Sequence, residues 1–119
     1  MPPVIKIKRA YESPAKTDGI RILIDRLWPR GLTKEKLAIK EWNKDIAPTK
    51  ELREWFGHDP ERWAEFQKRY KAELKKNEVV EAFREAYREE KILTLVYGSK
   101  DETHNHAIVL KEYLDHLFA

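Results

Sequence analysis

The side chains with the greatest chemical capability are concentrated in the segment KILTLVYGSKDETHNH, from Lys91 to His106. They include a phenol, two hydroxyls, an amine, a carboxylate, an amide and two imidazoles, which are groups that bind anions, hydrogen-bond ligands or transfer protons. The segment predicts a ligand site, although it does not specify a reaction. The residues concerned are Tyr97, Ser99, Lys100, Asp101, Thr103, His104, Asn105 and His106.

A histidine of this segment is a candidate general acid or base. Histidine titrates near neutral pH, and a nearby carboxylate such as Asp101 can orient its ring. Either His104 or His106 could take this role. The alternative is that Asp101 or Thr103 caps the last helix and that the histidines pack against the loop. No metal site is predicted, because two histidines two positions apart point in different directions on a regular helix.

Other residues of the segment are predicted to contact a ligand rather than to react with it. Tyr97 and Asn105 can hydrogen-bond one, and Lys100 can bind an anion, although an ordinary surface charge is the favoured interpretation of Lys100. Ser99 is not predicted to be a nucleophile, because it lacks the G-x-S-x-G pattern of a nucleophile elbow.

A second polar cluster, RLWPRG, follows the strand-like run IRILID. The planar guanidinium groups of Arg26 and Arg30 suit phosphate or carboxylate, so the pair predicts an anion site. Asp25 is a further candidate acid or base, and Trp28 is a candidate ligand contact. Alternatively, Asp25 and one arginine form a structural ion pair that holds the loop.

His58 lies in a tight turn, between Gly57 and Asp59. A structural role is expected for it unless the turn folds over the ligand site, in which case His58 becomes a ligand contact. Trp42 and the apolar stripe from Trp63 to Leu74 are predicted to belong to the core.

The elements that position these residues can be predicted from hydrophobic periodicity and from turn and cap signals. Strands are expected at residues 4–9, 20–25 and 92–97, with a short one around 39–43. Helices are expected to begin at Thr33, Thr49, Asp59 and Asn77, and a last helix follows the segment of reactive residues.

Strands at both ends of the chain, with helices between them, indicate one α/β domain over residues 1–119. We expect a small, mostly parallel or mixed sheet of about four strands, flanked by helices. If the second and last strands are parallel neighbours, their carboxyl ends bring RLWPRG and the histidine segment into one crevice. The N-terminus of the last helix would then help to hold an anion there.

The composition narrows the possible functions. The chain has no cysteine, so a disulfide framework and thiol chemistry are absent. No apolar run reaches the length of a membrane span and no signal peptide is evident, so a cytoplasmic location without membrane contact is expected. Residues 1–50 carry 12 Lys and Arg against 6 Asp and Glu. Abundant Lys and Glu with a single Gln resembles the composition of thermophile proteins.

Three motifs resemble the YeaO-like branch of the domain-of-unknown-function 488 family, and the similarity extends over essentially the whole chain. They are IDRLWPRG (Ile24 to Gly31), WFGHDPERW (Trp55 to Trp63) and YGSKDETHNHAIVLKEYL (Tyr97 to Leu114). The resemblance implies a small cytoplasmic α/β domain and no established activity. It marks as motif positions Asp25, Arg26, Trp28, Pro29, Arg30, Gly31, His58, Asp101, His104, Asn105 and His106.

The resemblance also identifies two departures from the wider family. That family has a D-V-R-x-x-P segment resembling Asp25, Arg26 and Pro29. It has a Cys-His-Arg triplet where this chain has Asn105, His106 and Ala107. The absence of the Cys and the Arg argues against cysteine-dependent chemistry here.

The leading hypothesis is a small-molecule enzyme or binding protein for an anionic, phosphate- or nucleotide-like ligand at the carboxyl ends of the strands. Arg26 and Arg30 would hold the anion, and Asp25, Asp101, His104 or His106 would supply acid and base groups. The alternatives are a nucleic-acid-binding module that uses the basic first half with Trp28 and Trp42, or a partner-binding protein. The sequence does not indicate a cofactor or an oligomeric state.

Overall fold

A parallel sheet of four strands forms the centre of the fold. The computed structural model describes residues 2–119. The strands are β1 (Val4–Arg9), β2 (Ile20–Leu23), β3 (Glu41–Trp42) and β4 (Ile92–Tyr97). Their order is β1-β4-β2-β3, and every neighbouring pair runs parallel. The predicted α/β class is therefore confirmed, and the connection from β1 to β2 is a crossover rather than a hairpin.

Five α-helices flank the sheet, and each of the four longest begins close to a polar cap or a proline turn. They are α1 (Lys34–Leu37), α2 (Lys50–Phe56), α3 (Trp63–Lys76), α4 (Glu78–Tyr87) and α5 (His106–Phe118). Thr49, Asn77 and Asn105 accept hydrogen bonds from backbone N–H groups of α2, α4 and α5. Asp59 and Pro60 begin a single 3-10 turn that leads into α3. No helix within residues 2–119 is long and apolar enough to cross a bilayer.

The core lies on both faces of the sheet, which explains the nearly continuous apolar run of β4. On one face, Leu93, Leu95 and Tyr97 pack with buried residues of α2 to α5. On the other face, Leu23 and Val96 pack with Leu37 of α1 and with the half-buried Trp28. Because β2 and β4 are parallel neighbours, their carboxyl ends lie side by side, between the two packed layers.

The prediction that Trp42 belongs to the core is wrong. Its side chain is 38% exposed, because β3 is only two residues long and forms an edge of the sheet. The indole Nε1 donates a hydrogen bond of 2.7 Å to the carbonyl of Asp25, so Trp42 supports the loop after β2. Within the predicted stripe from Trp63 to Leu74, Trp63 itself is only half-buried.

A buried ion cluster at the opposite end of β2 was not predicted. The Asp18 carboxylate accepts hydrogen bonds from Arg21 at 2.7 Å and from Lys8 at 3.1 Å, and also from the Ala15 N–H. Burial raises the pKa of Asp18, but these three hydrogen bonds outweigh burial and hold the pKa below its ordinary value. The Arg21 guanidinium also donates to the carbonyl of Leu37. The cluster therefore links β1, β2 and α1.

Candidate functional site

A cleft of about 320 Å³ opens at the carboxyl ends of β2 and β4. The loop after β2, the end of α2 with the turn that follows it, and the loop between β4 and α5 all contribute to its walls. RLWPRG and the histidine segment, which are far apart in sequence, thus line the same cleft. The lining comprises residues 11, 25–30, 47–48, 53, 56, 58, 66, 98–99 and 104–106.

Asp25 connects the two strand ends at this cleft. Its Oδ2 accepts a hydrogen bond of 2.8 Å from the N–H of Gly98, directly after β4. A Cβ atom at position 98 would lie 3.0 Å from that oxygen, so a glycine allows the close approach. The predicted ion pair between Asp25 and an arginine is not formed, because the carboxylate pairs with His106 instead.

The geometry around His106 determines which ring nitrogen is free. Nε2 lies 2.9 Å from the carbonyl oxygen of Ile24 and 3.1 Å from Oδ1 of Asp25. Both neighbours are acceptors, so Nε2 carries the hydrogen. The N–H is directed at Ile24, and the buried Oδ1 therefore has an ion-pair distance but no aligned hydrogen bond. Nδ1 has no hydrogen-bond partner among the described residues.

His104 forms a second pair with a carboxylate, as predicted for Asp101. Oδ2 of Asp101 lies 3.0 Å from Nδ1 of His104. The hydrogen bond from the Thr103 N–H, followed by those from the Thr103 hydroxyl and from His104, lowers the pKa of Asp101 to about 2. The ring of His104 also packs edge-on against Trp63, with 5.4 Å between centroids. His104 lines the cleft, and Asp101 does not. The Asp101 carboxylate instead holds the turn before α5 by accepting from the N–H groups of Thr103 and His104.

The two arginines of RLWPRG have different environments. Arg26 donates to the carbonyls of Pro48 and Ala47, at 3.1 and 3.4 Å, and so ties its loop to the start of α2. Arg30 is exposed, and its guanidinium has no polar partner within residues 2–119. The Tyr11 hydroxyl donates a hydrogen bond of 2.9 Å to the Arg30 carbonyl, which fixes the backbone from which this free side chain extends.

α2 contributes a third arginine, which was not predicted as a site residue. Arg53 is exposed and lines the cleft, without a side-chain partner in the part of the chain that the structure describes. It lies three residues before Phe56, so the two share one side of α2. That spacing is visible in the sequence, but only the fold shows that this side of α2 borders the cleft.

His58 lies over the cleft, as its candidate role as a ligand contact requires. Gly57 and His58 both have left-handed backbone conformations, with φ of 51° and 58°. The turn therefore folds back from the end of α2 and directs His58 toward the cleft, 6.2 Å from the ring of Phe56. A non-glycine residue in this conformation is strained, and such strain is found preferentially at functional sites.

Large apolar side chains surround the mouth of the cleft. Leu27 is 60% exposed and Tyr11 is 47% exposed. Trp28 is half-buried, packs edge-on against Trp42 at 5.4 Å, and donates from Nε1 to the carbonyl of Leu32. Tyr11 and Leu27 were not predicted as site residues, because neither has a sequence pattern that separates it from an ordinary loop residue.

Three predicted ligand contacts are placed unfavourably for that role. Tyr97 is buried in the core, where desolvation raises the pKa of its phenol, and it does not line the cleft. Lys100 is exposed and also lies outside the cleft lining. Asn105 lines the cleft, but its side chain caps α5 through the Ile108 N–H and donates to the Asp101 carbonyl. Ser99 lines the cleft as well, and its hydroxyl accepts from the N–H of Asp101.

The charged side chains that line the cleft are mostly positive. Three guanidinium groups face a single carboxylate, that of Asp25, which already accepts from Gly98 and neighbours His106. The imidazole beside the Asp25 carboxylate belongs to the first residue of α5, and the N–H groups at the start of that helix are capped by Asn105. No group of three or more His, Asp or Glu side chains within residues 2–119 is arranged to hold a metal ion.

The comparisons with known proteins are consistent with one another. Residues 4–119 match a family described as the inactive DUF488-N3 subclade. The chain is 43% identical over 110 residues to the uncharacterized protein YeaO of Escherichia coli strain K12, covering 92% of this chain and 96% of YeaO.

A second relative is more distant. The chain is 38% identical over 111 residues to the uncharacterized protein Rv3073c of Mycobacterium tuberculosis strain H37Rv, covering 93% of each. No solved structure matches the chain. The match over nearly all of the chain, together with the identity to YeaO, shows that the chain belongs to the YeaO-like DUF488 family, within the inactive DUF488-N3 subclade.

Proposed function

We propose that this protein binds a small anionic ligand in the cleft and does not itself catalyse a reaction. The observation that carries the proposal is the excess of guanidinium groups over carboxylates in the cleft lining. Arginine presents paired donors that match phosphate and carboxylate oxygens, and a concave wall concentrates their field. The exposed, unpaired side chains of Arg30 and Arg53 are the principal anion contacts.

The backbone that carries each of these two arginines is held in place. The hydrogen bond from Tyr11 holds the backbone of Arg30, and the α2 helix holds Arg53. Arg26 is engaged with the carbonyls of Pro48 and Ala47, so its contribution to a ligand is mainly its charge. An anion would therefore meet two free guanidinium groups and one tethered guanidinium group.

Two observations favour binding over turnover. The family to which the chain belongs is described as inactive. In addition, Asn105 caps α5 at the position where the resemblance implies a cysteine in the wider family, and an amide engaged in a cap is not a nucleophile. The histidines at the cleft would then donate to or accept from the ligand rather than transfer protons in a reaction.

A thermal-shift titration tests the proposal. Phosphate, pyrophosphate and nucleoside phosphates are added to the wild type and to Arg30→Gln and Arg53→Gln, with Arg88→Gln as a control. Arg88 is exposed and lies outside the cleft. A ligand at 100 times its Kd adds about 2.7 kcal/mol of stability, which is on the order of 10 °C in Tm for a domain of this size.

We expect at least one anion to raise the Tm of the wild type and of Arg88→Gln, and to raise that of the two cleft variants much less. Equal shifts in all four proteins would show that the anion binds elsewhere. No shift with any anion would contradict the proposal.

One observation favours a second candidate function, single-stranded nucleic-acid binding: Trp42 is exposed beside Trp28 and could stack on a base. Both indole N–H groups, however, already donate to backbone carbonyls, and Lys44 covers the ring of Trp42 at 5.3 Å. We therefore rank this function second. Short oligonucleotides in the same titration distinguish it, because their effect would depend on Trp42 and fall steeply with added salt.

A further inference from the structure

We infer that the ligand class is a nucleoside monophosphate, with its base at the apolar mouth of the cleft, its sugar near the floor and its phosphate at Arg30 and Arg53. This inference rests on the proposed function and specifies the ligand of the same cleft. Three chemically different regions of one cavity carry it, and a simple inorganic anion would use only one of them.

The mouth offers surface to an aromatic ring. Leu27 is 60% exposed and Tyr11 is 47% exposed, and both line the same cleft as the guanidinium groups. Large apolar side chains that stay exposed next to a concave polar site are typical of ligand-binding surfaces. Trp28 lines the same cleft and extends this surface, while Arg9 lies over the Tyr11 ring, 5.3 Å from its centroid. A base entering here would be removed from water by Leu27, Trp28 and the face of Tyr11 opposite Arg9.

The interior continues the aromatic character. Phe56 and Phe66 stack at 4.3 Å between centroids, and both reach the cleft lining. His58, 6.2 Å from Phe56, adds a ring that can donate a hydrogen bond to an anion or contact a base. Phe56 and Phe66 are themselves buried, so they form an apolar wall between the mouth and the floor, against which the ligand would pack.

The floor offers hydrogen bonds to a sugar hydroxyl. The Nε2–H of His106 is committed to the Ile24 carbonyl, so Nδ1 is the ring nitrogen left for a ligand. Asp25, 3.1 Å from Nε2, keeps the ring in this orientation. A ligand hydroxyl can pair with Nδ1 whether or not that nitrogen carries a hydrogen, because a hydroxyl both donates and accepts, whereas an ionised phosphate oxygen only accepts.

The size of the cleft suits one nucleotide unit. Its volume of about 320 Å³ is at the lower end of the range of small-molecule pockets, which is about 300–1,000 Å³. A base, a sugar and one phosphate suit this volume better than a dinucleotide does.

Isothermal titration calorimetry with a matched ligand series tests the inference. The probes are the four ribonucleoside 5′-monophosphates, the corresponding nucleosides, ribose 5-phosphate and inorganic phosphate. The proteins are the wild type, Leu27→Ser, Arg30→Gln and the control Val4→Ser. Val4 is 58% exposed at the start of β1, outside the cleft lining, so Val4→Ser makes the same kind of change without touching the cleft.

We expect at least one nucleoside monophosphate to bind the wild type about tenfold more tightly than ribose 5-phosphate does, as stacking of a base on protein side chains provides. Leu27→Ser should reduce that ratio several-fold and leave ribose 5-phosphate affinity unchanged. Arg30→Gln should weaken the binding of the nucleoside monophosphate and of ribose 5-phosphate, and should leave the binding of the nucleoside unchanged. Val4→Ser should bind every probe like the wild type.

The outcomes separate this inference from the proposed function. If ribose 5-phosphate or phosphate binds as tightly as every nucleoside monophosphate, the base contributes nothing and the inference is overturned while anion binding stands. If no probe binds, both are overturned. If Leu27→Ser leaves the ratio of nucleoside monophosphate affinity to ribose 5-phosphate affinity unchanged, the base does not bind at the mouth, and the inference is also overturned.

Discussion

Asp25 is the residue on which the cleft depends most directly, because three parts of the chain meet at its side chain and backbone. Its carboxylate binds the N–H of Gly98 and lies beside His106, and its carbonyl accepts from Trp42. It therefore acts here as an organiser of the strand ends, and it sets the orientation of the imidazole ring. The sequence predicted Asp25 and His106 as site residues, but not that they would be partners.

The tautomer of His106 can be measured. We expect the neutral ring to carry its hydrogen on Nε2, which ¹⁵N chemical shifts of the imidazole would show. Asp25→Asn should lower the free energy of unfolding by about 1–3 kcal/mol, because the amide NH2 would have to face either the Nε2–H of His106 or the N–H of Gly98. Asp45→Asn, at an exposed position, should change stability by less than about 0.5 kcal/mol. A hydrogen on Nδ1 would contradict this account of the floor.

Asp101 should make the turn before α5 sensitive to acid. Hydrogen bonds led by that from the Thr103 N–H lower its pKa to about 2, below the ordinary value of 3.8. A depressed pKa means that the ionised form stabilises the folded turn. The stabilisation is present above about pH 3.8 and is lost as the pH falls through about 2.

NMR titration of the Asp101 carboxyl carbon checks this prediction. The amide signals of Thr103 and His104 should move with the same midpoint, because their N–H groups donate to that carboxylate. In Asp101→Asn the acid-induced shift of both amides should disappear. A midpoint near 3.8 would show that these hydrogen bonds do not persist in solution.

At the scale of elements, the connections between strands determine where the cleft opens. The crossover from β1 to β2 depends on Gly19, which has a φ of 64°, and a Cβ there would lie 2.4 Å from the Ile92 carbonyl oxygen. Gly31, at the cleft loop, has a φ of 82° but open space around it. A side chain is disfavoured at both φ values, and Gly19 adds a ψ of −133° and the steric conflict with Ile92.

Alanine substitutions at these glycines should therefore have different effects. Gly31→Ala should cost about 1 kcal/mol from the left-handed conformation alone. Gly19→Ala should cost clearly more, because the β2 and β4 strands must also separate to admit the methyl group. Urea denaturation of both variants provides the comparison. Equal losses in the free energy of unfolding would show that the backbone around Ile92 shifts at no cost to admit the methyl group.

The buried ion cluster joins β1, β2 and α1 at the end of the sheet opposite the cleft. Asp18→Ala should lower the free energy of unfolding by about 3–5 kcal/mol, since it leaves Arg21 and Lys8 without their common partner. Asp115→Ala removes a half-exposed pair with Lys111 and should cost at most about 1 kcal/mol. Similar losses in chemical denaturation would mean that the cluster is solvated rather than buried.

At the scale of the whole molecule, much of the fold could be predicted from the sequence. Period-two alternation predicted β1 and β2, and a nearly continuous apolar run predicted β4, whereas the two residues of β3 lie within an ambiguous segment for which a short strand was expected. The period of 3.6 and cap residues such as Thr49 and Asn77 predicted helices and their starts. The exposure of Trp42 was missed because burial depends on sheet order, which local patterns do not contain. The roles of Arg53, Leu27 and Tyr11 were missed because only the fold brings them to the cleft.

The convergence of RLWPRG with the histidine segment followed from one assumption, that the second and last strands are parallel neighbours. The pairing of β2 with β4 meets that assumption. The assignment of individual roles was less successful, because Tyr97 and Lys100 have the right chemistry but lie outside the cleft lining. Residue type and proximity in sequence do not determine which way a side chain points at the end of a strand.

Mapping a bound anion by NMR tests the central claim most directly. Inorganic phosphate and then a nucleoside monophosphate are titrated into ¹⁵N-labelled protein. Saturable shifts should be confined to the amides around the cleft, with Arg30, Arg53 and Gly98 among the largest, and Arg30→Gln should weaken them. Shifts spread over the lysine-bearing surfaces, or no saturable shift at any residue, would contradict the claim that this cleft binds anions.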